Sequence, residues 1–158
     1  MPLADLTLDT NVLLHSCNPI EARYPHCVAF LQQLLASTTK LAIDEGFSVE
    51  SAANKSLIGA EYLEKLVPGT LPSQVLIALA NTGRVTTFKS SLQPQLAKKL
   101  NQLVANKRDR TFVKVCVNSV GKVLVSHDYE DFPVSKRGTI SRSFGISIVD
   151  ALSCQRLL

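Results

Sequence analysis

Two patterns of hydrophobic positions alternate along the chain. Short, continuously apolar runs occupy residues 3–9, 40–44 and 122–127, with weaker ones at 84–88 and 145–149. Runs this short and this apolar predict strands buried on both faces. The segments between them repeat apolar residues every three or four positions. That spacing predicts helices at residues 11–17, 22–38, 50–66, 72–82, 92–106, 109–119 and 150–158. In residues 22–38 the stripe runs through Val28, Leu31, Leu34 and Leu35, and Pro25 falls in the first turn, where its missing N–H has no partner to lose. Pro68-Gly69 stops the helix of residues 50–66. Residues 129–144 hold Pro133, Gly138, three serines, a threonine and three basic residues. They predict a long polar loop that faces substrate. Strands that alternate with helices predict an α/β fold, with a parallel sheet covered by helices on both faces. No repeat or linker divides the chain, so residues 1–158 read as one domain.

Composition narrows the class. With 158 residues, 46% of them hydrophobic, the chain can bury a substantial core and is not of disordered type. No apolar run approaches the roughly 20 residues of a membrane span. The opening Met1-Pro2-Leu3-Ala4-Asp5 carries no basic run, so a cytoplasmic location is expected. Cys17, Cys27, Cys116 and Cys154 form no Cys-x-x-Cys pair and read as reduced thiols. His15 and Cys17, with His26 and Cys27, match no familiar zinc spacing.

Charge is unevenly spread. Residues 1–50 carry two basic and six acidic side chains, whereas residues 89–158 carry twelve basic and five acidic ones. The basic residues cluster at Lys98-Lys99, at Lys107-Arg108 with Arg110 and Lys114, and at Lys136-Arg137 with Arg142. An electropositive C-terminal half suits a polyanion such as nucleic acid. A solvated helix face plus a basic loop gives the same counts, so charge alone does not decide.

The carboxylates add chemistry. Asp9 ends the first strand and Asp128 ends a later one. Open α/β sheets bind ligands at the carboxyl ends of their strands. Each acid also has an ordinary role available. Asp9 can cap the following helix, Asp128 can serve a turn, Asp109 suits a helix first turn, and Glu61 can pair with Lys65. Together, Asp9, Glu61, Asp109 and Asp128 lie on elements that can meet at one sheet edge. Clustered carboxylates repel unless a cation neutralises them, and hard Mg²⁺ or Mn²⁺ is the natural choice. Such a site activates water for attack on a phosphodiester.

The run Leu8-Asp9-Thr10-Asn11-Val12-Leu13, the helical Glu61-Tyr62, the Asp109-x-x-Phe112-Val113 segment and Leu124-Val125-Ser126-His127-Asp128 occur in an order and spacing that resemble the PIN-domain nucleases. The resemblance spans about residues 5–150, and its first and last motifs are the specific ones. It implies a three-layer α/β/α sandwich with an acidic Mg²⁺ or Mn²⁺ site that cleaves RNA. Carried over, Asp9, Glu61, Asp109 and Asp128 form the acidic set, with Asp9, Asp109 and Asp128 as metal ligands. Ser126 places a hydroxyl beside them, and Asn11 orients Asp9. Lys107, Arg108, Arg110, Lys136, Arg137 and Arg142 are the candidates for holding RNA. Members of this size are often toxins paired with an antitoxin, and many form homodimers. The apolar stripe Leu71, Val75, Leu76 and Leu79 can serve such an interface or the core.

Several alternatives stay open at this level. Asp44, Glu50 and Glu64 compete with Glu61 as the second acid, and Glu130 and Asp131 compete with Asp128. Asp44, which ends the second strand, can also be an outer member of the site. His127 is expected to face away from Asp128. An aspartyl phosphatase using Asp9 would need a second aspartate at position 11, where Asn11 stands. A non-catalytic nucleic-acid-binding or scaffold protein of the same fold is the main rival reading.

Overall fold

All four residues of the first strand, Asp5–Leu8 (β1), are buried, as are all three of Val123–Val125 (β4). Strands buried on both faces need cover on both sides, and the remaining elements supply it. The computed structural model describes residues 1–158. After β1 come α1 (Thr10–His15), α2 (Tyr24–Ala36), β2 (Lys40–Asp44), α3 (Leu57–Lys65), α4 (Leu71–Asn81) and β3 (Val85–Phe88). Then follow α5 (Pro94–Leu103), α6 (Lys107–Asn118), β4, α7 (Val134–Phe144), β5 (Ser147–Val149) and α8 (Ala151–Cys154). The five strands are all parallel, in the order β3-β2-β1-β4-β5. Helix α6 crosses β1, β2 and β4 with α3 packed against it, while α2 packs on α4 and α8. The result is the three-layer α/β/α arrangement. No helix is long and apolar enough to cross a membrane.

The chain builds outward from β1 to β3, then returns to place β4 on the other side of β1. This reversal opens a crevice at the carboxyl ends of β1 and β4. Leu8 pairs with Val125, and the Asp9 N–H donates to the Val125 carbonyl at 2.9 Å. That register sets Asp9 beside Ser126, His127 and Asp128.

Two expectations change. Helix α3 begins at Leu57, seven residues later than the apolar period predicts. Asp44 and Ser56 determine the start. Asp44 Oδ1 accepts from Ser56 Oγ at 2.5 Å and from the Ile58 N–H at 3.0 Å, and Oδ2 accepts from the Leu57 N–H at 2.7 Å. Ser56 Oγ in turn accepts from the Gly59 N–H at 2.8 Å. These are the amides that a helix leaves without internal partners. Asp44 therefore anchors α3 and is not an outer member of the acidic site.

Residues 134–144 are helical, not a loop. Arg137, Ile140 and Phe144 recur at helical spacing on the buried side, and Gly145 ends the helix at a φ of +69°. The serines and Gly138 masked that period. In α4 the choice between interface and core falls to the core, where Val75, Leu76 and Leu79 lie.

Tight approach between β1 and the α6–β4 turn depends on Gly121. A Cβ at that position would collide with the Asp5 carbonyl oxygen. The Gly121 N–H also donates to Asp5 Oδ1 at 2.8 Å. Gly121→Ala is expected to cost about 1–3 kcal/mol of stability in urea unfolding. An unchanged midpoint would contradict this close contact.

Candidate metal centre

Asp9, Asp109 and Asp128 each present a carboxylate oxygen, and these oxygens lie within 4.8 Å of one another. Asp9 occupies the N-cap position of α1, yet its side chain makes no capping bond. Instead Asp9 Oδ2 accepts from Ser126 Oγ at 2.7 Å and from Asn11 Nδ2 at 3.1 Å. Asp9 is thus the N-cap residue by its backbone, while its side chain is turned to Ser126 and the Asn11 amide. Both partners also reach the end of β4. Ser126 Oγ accepts the Asp128 N–H at 3.1 Å, and Asn11 Oδ1 accepts the His127 N–H at 2.9 Å. Each ties Asp9 to the segment that carries Asp128.

Asp128 does serve a turn as well. Its Oδ1 accepts the N–H groups of Glu130 at 3.1 Å and Asp131 at 2.9 Å, which fixes the carboxylate in place. Asp109 sits in the first turn of α6 and is buried, and its Oδ2 has no hydrogen-bond partner. Unsatisfied buried polar atoms are rare, and each needs an explanation.

The electrostatics agree with the geometry. Burial pushes the Asp9 carboxyl from its ordinary 3.8 up to about 6; the Ser126 hydrogen bond opposes this, and the charges of Asp128 and Glu61 reinforce it. Asp109 rises to about 8, first through burial, then through the neighbouring Asp131 carboxyl and the charges of Asp9 and Asp128. Both groups resist ionisation because like charge and low polarity surround them. A cation would reverse that preference. The donors are all hard oxygens, and Asp109 Oδ2 is free, so the residues fit Mg²⁺ or Mn²⁺. Asp131, weighed from sequence only as a substitute for Asp128, is an additional carboxylate beside Asp109.

Glu61 stands at the margin. It is close enough to raise Asp9, but it lies outside the group of three, and its Oε1 faces Lys65 Nζ at 3.3 Å. The neighbouring Tyr62 is fully buried and donates its hydroxyl to the Leu8 carbonyl, which holds α3 against β1. Glu50 and Glu64 are exposed.

The six basic candidates divide. Lys107 and Arg108 are exposed at the start of α6, beside Asp109; Arg142 is exposed and Lys136 half-buried. Arg110 and Arg137 are not free for substrate. Arg110 donates to the carbonyls of Val104 at 2.5 Å and Ala105 at 3.0 Å, behind α5. Arg137 is buried. Its Nε donates to the Phe132 carbonyl at 2.7 Å, and its Nη2 to the carbonyls of Ser126 at 3.1 Å and Asp128 at 3.2 Å. Its guanidinium also lies 4.0 Å over the Tyr129 ring. Arg137 thus clamps the turn that carries Asp128. The sequence signal was its place three residues before Ile140 on the inner stripe of α7. Arg137→Lys cannot make this fork of bonds. It is expected to weaken Mn²⁺ binding at least about tenfold in calorimetry with the fold retained. An unchanged affinity would remove Arg137 from the site.

A second cluster joins His15, Cys27 and His127. His15 Nδ1 lies 3.1 Å from His127 Nδ1, and Cys27 Sγ lies 3.6 Å from the same nitrogen. The Ala151 N–H donates to His127 Nε2 at 3.0 Å. That bond puts the proton of a neutral His127 on Nδ1, directed at His15. Burial, with help from His15, lowers the His127 pKa to about 4, so the ring stays neutral. A proton therefore sits where a metal would need a lone pair. These three side chains link α1, α2, β4 and α8 through hydrogen bonds. His127 turns away from the carboxylates, as expected. All four cysteines are free thiols, and Cys17 is exposed.

No family model matches the chain, and no curated protein or solved structure matches it.

Proposed function

We propose that the protein is a Mg²⁺- or Mn²⁺-dependent nuclease of PIN type that hydrolyses RNA phosphodiesters. The observation that carries this reading is the unpartnered, buried Oδ2 of Asp109 among three carboxylates at the β1–β4 crevice. Asp9, Asp109 and Asp128 would hold the ion, with Asp131 and Glu61 adjoining. When bound, the ion supplies a Lewis acid for a phosphoryl oxygen and lowers the pKa of a water.

The chain's own residues do the rest. Ser126 and Asn11 orient Asp9, and the Asx turn with Arg137 orients Asp128. Lys107, exposed at the start of α6, sits where it attracts the phosphodiester backbone. Glu61 adjoins the site from α3.

Cleavage of labelled single-stranded RNA tests this directly. Cleavage is expected with Mn²⁺ and is expected to vanish with EDTA and in Asp9→Asn. Cleavage that survives both would overturn the mechanism. RNA binding without Mn²⁺ binding would favour the non-catalytic reading instead.

A further inference from the structure

A cleft of about 370 Å³ opens between α3 and the first turns of α6. Its size falls within the range of small-ligand sites. Glu61 lines it, and so do Lys107 and Arg108, which directly precede Asp109 in α6, so the cleft adjoins the acidic centre. Leu57 and Ala60 give it an exposed apolar wall, with Phe112 buried beneath. Leu57 is 64% exposed, an apolar side chain with little packed over it. The rim carries both signs, with Glu64 on the α3 side and Lys107 and Arg108 on the α6 side. The molecule's salt bridges are His15–Glu21 and Lys65–Glu61, so all three rim charges are unpaired.

An apolar wall with an uncommitted guanidinium and carboxylate at its edge suits a heterocyclic base. We propose that this cleft seats the nucleobase beside the cleaved phosphodiester, and that guanine is the base it holds best. The position of that base relative to the reaction rests on the nuclease reading; the base preference rests on the cleft's own chemistry. Guanine offers N1–H and N2–H donors to the Glu64 carboxylate and O6 and N7 acceptors to Arg108. Uracil has no amino group for Glu64. Cytosine and uracil lack an N7 for Arg108, and adenine replaces the O6 acceptor with an amino donor. Lys107 remains available for the adjoining phosphate.

The test needs neither metal nor cleavage. Uniformly ¹⁵N-labelled protein is titrated in EDTA with the 5′-monophosphates of guanosine, adenosine, cytidine and uridine. Amide shifts are expected at Leu57, Ala60 and Phe112, with the guanosine nucleotide bound at least about fivefold more tightly than the uridine one. Glu64 and Ala60 are both exposed, so their variants retain the fold. Glu64→Ala should shrink the preference to under about twofold, and Ala60→Trp, whose ring covers the wall, should abolish the shifts. Equal affinity for the four nucleotides, shifts confined to other surfaces, or an undiminished preference in Glu64→Ala would overturn the proposal. Failure of Mn²⁺ to bind Asp9 and Asp109 in a separate titration would overturn the metal reading and leave the base preference standing.

Discussion

Asp109→Asn is expected to abolish metal-dependent RNA cleavage while making the metal-free protein more stable. The loss of activity follows from removing the carboxylate whose Oδ2 is free for an ion. A metal contribution of several kcal/mol to the barrier corresponds to at least about a 10³-fold drop in rate. The gain in stability follows from the same surroundings. Burial, Asp131, Asp9 and Asp128 all oppose ionisation of Asp109 and hold its pKa near 8. Asparagine has no charge to suppress, and its amide donates to the neighbouring carboxylates. At pH 8 in EDTA the melting temperature should rise by about 3–6 °C. An aspartate kept only for helix α6 would give the reverse, because replacing it would lose a favourable first-turn charge. Calorimetric melting of the two proteins decides the sign, and a lower melting temperature for the variant would contradict this account of Asp109.

The metal-free protein is also expected to lose about 2 kcal/mol of stability as the pH rises from about 6.5 to 8. An acid whose pKa is raised on folding stabilises the fold while it is protonated. That contribution is full below the unfolded value near 4 and is lost as the pH climbs through the folded value. For Asp9 the window runs from about 4 to about 6, and for Asp109 it extends to about 8. His127 works in the opposite direction. Its pKa falls from 6.5 to about 4 on folding, so it adds stability as the pH rises across that interval. Asp9 and His127 thus offset each other at acid pH, and Asp109 dominates above about 6.5. Saturating Mn²⁺ should remove the decline, because ligand binding displaces the proton and stabilises the folded form. Asp109→Asn should remove it in EDTA. Urea midpoints at pH 6.5, 7.2 and 8.0, with EDTA or Mn²⁺, check both statements. A decline of equal size in Asp109→Asn would assign it to another group.

Much of the sheet was legible in the chain because its inner strands are continuously apolar and end in polar residues. Leu6-Thr7-Leu8 and Val123-Leu124-Val125 announce themselves in this way, and the aspartates that follow inherit their place at the crevice. Position within a helix was harder to read. The start of α3 depends on Asp44, thirteen residues before the Leu57 amide that it accepts. A helical period carries no trace of such a bond. Arg137 shows how charge misleads. Its sign suggested a phosphate partner, but its donors face the carbonyls of the turn that holds Asp128.

The acidic set was legible at Asp9, Asp109 and Asp128 and less so elsewhere. Glu61 and Asp131 adjoin the other carboxylates through the packing of α3 and the turn after Asp128, which no spacing along the chain shows. The cluster of His15, Cys27 and His127 joins residues up to 112 positions apart, so no spacing rule could find it.

The carboxylate centre is tested most directly by Mn²⁺ calorimetry at pH 7.5 on the wild-type protein, Asp9→Asn and Asp109→Asn. The expected result is micromolar to millimolar binding to the wild-type protein, accompanied by proton release and lost in both variants. No binding to the wild-type protein, or equal binding by all three, would contradict a metal site at Asp9, Asp109 and Asp128.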